Sequence, residues 1–97
     1  MDNLATDYLY SLDMRVIAEI PHHDFRITIF GWNNKYLIKF EKGSYEQTYK
    51  VSEMDVAGDE EIKKLLNDKE FVDSVISRFL EMNKSLNAAL NRLDGQH

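Results

Sequence analysis

The reading of one stretch decides the fold: FRITIFGWNNKYLIKFEKGSYEQTYKV, residues 25–51, in which three runs of strand-forming residues are separated by two turn signals. Asn33-Asn34 tolerates the positive φ values of a two-residue hairpin loop, so Trp32 faces Lys35, Phe30 faces Leu37, Thr28 faces Lys39 and Arg26 faces Glu41. Ile29/Ile38 and Ile27/Phe40 then share the opposite face. For the next turn, Lys42-Gly43 pairs Phe40 with Tyr45, Lys39 with Glu46 and Tyr36 with Tyr49. Gly43-Ser44 would set Glu41 against Glu46, and like charges directly opposite are unfavourable, so the first register is expected.

Before this stretch, Met14 to Ile20 alternates as a fourth strand. Met14, Val16, Ala18 and Ile20 lie on one side, and Arg15, Ile17 and Glu19 on the other. Pro21-His22-His23-Asp24 forms its turn, which pairs Ile20 with Phe25, Ala18 with Ile27 and Val16 with Ile29. Residues 1–13 form an N-terminal segment with Leu4, Tyr8 and Leu12 at helical spacing, so a short amphipathic helix is expected there. Beyond Val51 the period changes. Residues 52–67 carry turn chemistry and a short helix from Glu60 to Leu66, with acids in its first turn, as the helix dipole favours. Asn67 and Glu70 have capping-box spacing. From there Val72, Val75, Phe79, Met82, Leu86, Ala89 and Leu93 recur every three or four residues, the mark of one long helix over residues 68–94.

The expected fold is α+β: one domain over residues 1–97, a four-stranded antiparallel meander at 14–51 covered on one face by the long C-terminal helix. A helix of about 25 residues spans roughly 37 Å, whereas strands of about eight residues span roughly 26 Å. About two turns of helix should therefore overhang the sheet, carrying Met82, Leu86, Ala89, Leu90 and Leu93. These apolar groups need a second partner, either the N-terminal helix or the same helix of another subunit. Met82, Leu86 and Leu93 are the candidate dimer seam.

The sheet face turned away from the helix gathers Ile17, Phe30, Trp32 and Leu37 within a ring of Arg15, Lys35, Lys39 and Lys50. Exposed apolar clusters of this kind usually mark an interface, and these eight residues are the candidate interaction patch. Trp32 is the expected anchor. Three occupants fit: a protein, including a second copy of the chain; single-stranded nucleic acid, whose bases stack on aromatic rings while cations meet phosphates; or the N-terminal helix through Leu4, Tyr8 and Leu12. Four strands followed by a helix, over about residues 14–93, resembles the repeat of the Pur-alpha and whirly-type single-strand binders. That resemblance is one of element order, implies single-strand binding on the sheet and carries over no binding residue. The chain also resembles small bacterial single-domain proteins, a likeness that implies no activity.

Charge is unevenly distributed. The net charge is −5, yet residues 14–52 carry +2 between acidic flanks. An acidic chain is a poor general nucleic-acid binder, because counterion release needs clustered Lys and Arg. With no cysteine, disulfides, thiolate metal sites and cysteine nucleophiles are excluded. The start shows neither a basic n-region nor a long apolar run, so a cytoplasmic location is expected. His22-His23-Asp24 is the one local group of ligand-type atoms, and adjacent histidines in a tight turn are expected to diverge. Asp59-Glu60-Glu61 reads as dipole-complementing acids. Ser52, Ser74, Ser77 and Ser85 lie in no nucleophile elbow, and no phosphate loop is present. No catalytic, cofactor or metal residue and no small-molecule ligand is therefore assigned. The expected role is a non-enzymatic interaction or scaffolding domain, self-associating as a homodimer, with single-stranded nucleic-acid binding as the alternative.

Overall fold

Asn33 and Asn34 take φ values of 51° and 61°, and the hairpin they close organises the sheet. The computed structural model describes residues 14–93 and Gly95. Four strands, β1 (Arg15–Pro21), β2 (Arg26–Trp32), β3 (Lys35–Lys42) and β4 (Tyr45–Ser52), form one antiparallel sheet in chain order. Two 3₁₀ turns, Glu53–Asp55 and Leu65–Asn67, flank the short helix α1 (Asp59–Lys64), and the long helix α2 spans Lys69–Leu93. The four-strand meander, the short helix and the long C-terminal helix are those expected. The N-terminal helix lies outside the described residues. Among the described residues no helix is long and apolar enough to cross a membrane.

The β2–β3 register is the expected one, from Trp32 opposite Lys35 to Arg26 opposite Glu41. The β3–β4 register is not. Lys42 pairs with Tyr45 and Glu41 with Glu46, so the loop is Gly43-Ser44. Turn geometry overrides charge here: the tight hairpin loop needs a positive φ at its first central residue, and Gly43 supplies it at 59° where Lys42 would be strained. The two carboxylates are also bridged, because Lys39 Nζ lies 3.8 Å from Glu41 and 3.9 Å from Glu46. The correction is a shift of two, so each residue keeps its face.

β1 departs further. Ile20 pairs with Ile27 and Ala18 with Ile29, and then a bulge at Ile17 sets Val16 opposite Phe30 and Arg15 opposite Gly31. The bulge reverses parity. Val16, expected in the core, is 56% exposed, while Ile17 packs against the core. Gly31 explains the exchange: a Cβ there would lie 3.1 Å from both Ile17 Cδ1 and Arg15 Nη2, so the missing side chain leaves the room these two groups fill.

The core sits between the sheet and the helices: Phe25, Ile27, Ile29, Tyr36, Ile38 and Phe40 from the sheet, Ile62 from α1, and Val75 and Phe79 from α2. Phe40 is its centre, edge-on to Phe25, Tyr49 and Phe71. Asp68 rather than Asn67 caps α2, since Asp68 takes extended backbone and its Oδ1 accepts from Phe71 N at 3.1 Å. Two substitutions check this account by urea denaturation. Phe40→Ala should cost about 3–5 kcal/mol, as expected for a fully buried aromatic. Gly43→Ala, in open space but at positive φ, should cost roughly 1–2 kcal/mol from backbone strain alone.

Candidate interaction surfaces

The apolar stripe of α2 begins at Phe71 and Val72, continues through Val75, Ile76, Phe79 and Met82, and runs on through Leu86, Ala89, Leu90 and Leu93. At 100° per residue these positions fall on one side of the helix. Its first half is sealed by the sheet, with Val75 at 0% and Phe79 at 3% exposure. Polar ties hold the same half in place. Gln47 Nε2 donates to the Val75 carbonyl at 2.9 Å, Arg78 Nη1 donates to Tyr49 Oη at 3.1 Å, and Tyr45 Oη donates to Asn83 Oδ1 at 3.0 Å.

Past Asn83 the sheet has run out, because Phe25 and Tyr45 mark the end where the β1–β2 and β3–β4 turns lie. Leu86, Leu90 and Leu93 are 46%, 45% and 81% exposed. Met82 sits at the boundary, half-buried against the core. Nearly three turns overhang, one more than the length argument gives. The radius of gyration, 16.0 Å, exceeds the value of about 13 Å for a compact chain of this size, as a projecting helix requires. The candidate seam of Met82, Leu86 and Leu93 thus lies on one face, with Leu90 between them.

The outer sheet face differs from expectation. The bulge transfers Arg15 and Ile17 to the helix side, and Val16 takes their place opposite Phe30. Phe30, Trp32, Lys35 and Lys39 are half-buried and Lys50 is exposed. Leu37 is only 5% exposed and Thr28 8%, so the middle of this face is not open surface. Lys39, held between Glu41 and Glu46, is a poor phosphate ligand.

Sequence reasoning missed the cluster that Arg15 joins. Tyr36 Oη donates to Asp59 Oδ1 at 2.9 Å, and Arg15 Nη1 lies 3.8 Å from Asp59 Oδ2, so one carboxylate ties β1 and β3 to the start of α1. The signal that could have found it is Gly31, since an isolated glycine inside a strand pattern often marks a bulge.

His22 and His23 do not diverge as expected. Their rings stack at 4.8 Å, and His22 also stacks on Phe25 at 4.5 Å. Ligand-type atoms of His22, His23 and Asp24 lie within 4.8 Å of one another. His22 Nδ1 already accepts a hydrogen bond from Asp24 N at 3.1 Å, which commits that lone pair to closing the turn. The shallow recess beside Asp68, Glu70, Phe71, Ser74 and Arg78 is open, and Arg78 donates within it to Ser74 Oγ at 3.0 Å.

Comparison with protein-family models, curated proteins and solved structures finds no match. The functional reading therefore rests on geometry.

The hydrogen bond to Asp59, with burial and the nearby carboxylates adding to it, raises the Tyr36 phenol above its ordinary value of 10.0. The unfolded chain ionises near pH 10 while the folded one keeps Tyr36 neutral, so its contribution is full below that pH and is lost as pH rises through the folded value. Tyr36→Phe should therefore lower the urea midpoint near neutrality and flatten its decline above about pH 10 relative to the wild type. An unchanged alkaline decline would remove Tyr36 from that role.

Proposed function

We propose that this protein is a self-associating interaction domain that pairs with a second copy of itself through the C-terminal half of α2. One observation carries the reading: the helical stripe that the sheet buries down to Phe79 continues, in the same phase, as exposed leucines to Leu93. A helix segment without tertiary cover gains little from propensity alone, and an amphipathic one is stabilised chiefly by burying its apolar face. Leu86, Leu90 and Leu93 supply that face.

The contact is small. Full burial of a leucine is worth about 1.5–3 kcal/mol, so partly burying three per copy offsets an association cost that begins at about 4 kcal/mol by a modest margin. The pairing is expected to be weak and reversible, with Kd roughly 0.1–1 mM. The alternative of single-stranded nucleic acid on the sheet has less support, because Leu37 is sealed and Lys39 is already paired with two carboxylates.

Sedimentation velocity over a wide concentration range tests the reading. The wild type should move from monomer to dimer, and Leu86→Asp should weaken the dimer by at least tenfold, with circular dichroism showing the sheet retained. Leu80→Asp is the control: Leu80 is 62% exposed but lies off the stripe, so dimerisation should persist. A wild type that remains monomeric at the highest concentration refutes the proposal.

A further inference from the structure

We infer that the two copies pair antiparallel, about a two-fold axis that crosses α2 near residues 86–90. The inference rests on the self-association reading and adds the arrangement, which follows from what already fills the stripe. Along α2 the stripe meets this chain's own sheet as far as Met82, and beyond Asn83 that sheet is absent. A helix laid against the open half is separated from α2 by one layer of side chains, about 8–10 Å, and so occupies nearly the same level that the sheet holds under the first half.

That shared level decides direction. A parallel partner at a shallow crossing angle would carry its own N-terminal half, residues 69–83, back into the space filled by this chain's strands. An antiparallel partner carries that half the other way, past Leu93, and takes its own sheet with it. Each helix end then meets the turn end of the other sheet, where Lys42 sits, and a cation there suits the negative end of a helix dipole.

The flanks of the stripe fit a second copy rather than a charged partner. Met82, Asn83, Ser85, Leu86, Asn87, Ala89, Leu90 and Leu93 include no ionisable side chain. Asn83 and Asn87 form a ladder on one flank, with Asn87 Nδ2 donating to Asn83 Oδ1 at 3.1 Å. An amide offers both donor and acceptor, so a two-fold axis can set it against its own copy without conflict. The nearest opposite charges, Glu81 and Lys84, pair with each other at 3.9 Å, and helical spacing puts them on the side away from the stripe. Arg92, at the edge of the stripe in the last turn, is the one further charge along this half among the described residues, so self-pairing buries no charge at the centre of the contact and an acidic partner would find only that single cation.

A distance between the two copies tests the arrangement. The chain has no cysteine, so Glu70→Cys, exposed at the far end of α2, accepts a single nitroxide label without touching the stripe. Double electron–electron resonance is measured at a concentration where sedimentation shows the labelled protein to be dimeric. An axis near residue 88 places the two labels roughly 50–60 Å apart along the helices. A dominant distance below about 40 Å overturns the antiparallel arrangement while leaving self-association intact. Absence of a dimer in the sedimentation step refutes the self-association reading itself, so the two failures are distinguishable.

Discussion

The packing of Phe79 and Val75 against the sheet, around Phe40 and Phe25, is the constraint on which the other features depend. Phe25 contacts Phe79 at 6.0 Å between ring centroids, and both Phe40 and Tyr49 meet Phe71 edge-on, at 5.9 and 5.2 Å. This aromatic layer sets where the helix lies and leaves it supported along only part of its length. The sheet ends near Phe25 and Tyr45, whereas the helix continues to Leu93. Since the stripe does not change phase where the sheet stops, the geometry that stabilises the fold also leaves Leu86, Leu90 and Leu93 beyond the cover of the sheet.

Much of the architecture was legible because strand parity and helix periodicity are strong physical signals. The runs on either side of Asn33-Asn34 specify a hairpin whose register was read residue by residue, and the spacing from Val72 to Leu93 specifies one long helix. What was not legible came from glycine and from single capping groups. Gly43 fixes the second hairpin through its positive φ, a demand stronger than the apposition of Glu41 and Glu46 once Lys39 lies between them. Gly31 opens a gap that draws Ile17 and Arg15 to the helix side, and one bulged residue is enough to reverse the face of everything before it. Asp68 caps α2 one residue later than the Asn67 spacing implied.

The same distinction applies to the surfaces. The overhang of α2 was legible because it follows from two lengths, 1.5 Å per helical residue against about 3.3 Å per strand residue. The sheet patch was less so, since it depended on the parity of β1 and on the centre of the outer face being open. The bulge altered the first, and Leu37 at 5% exposure contradicts the second. Arg15, expected in the patch, instead joins Tyr36 on Asp59 at the helix side of the sheet, a polar tie between α1 and two strands.

The central claim is that α2 has two halves supported by different partners, the first by its own sheet and the second by another copy. Hydrogen exchange resolved along α2 at several protein concentrations tests it most directly. Amides of residues 72–82 should be protected at every concentration, whereas those of 84–93 should exchange rapidly in dilute solution and slow as concentration rises. Protection of 84–93 that does not change with concentration would contradict the account.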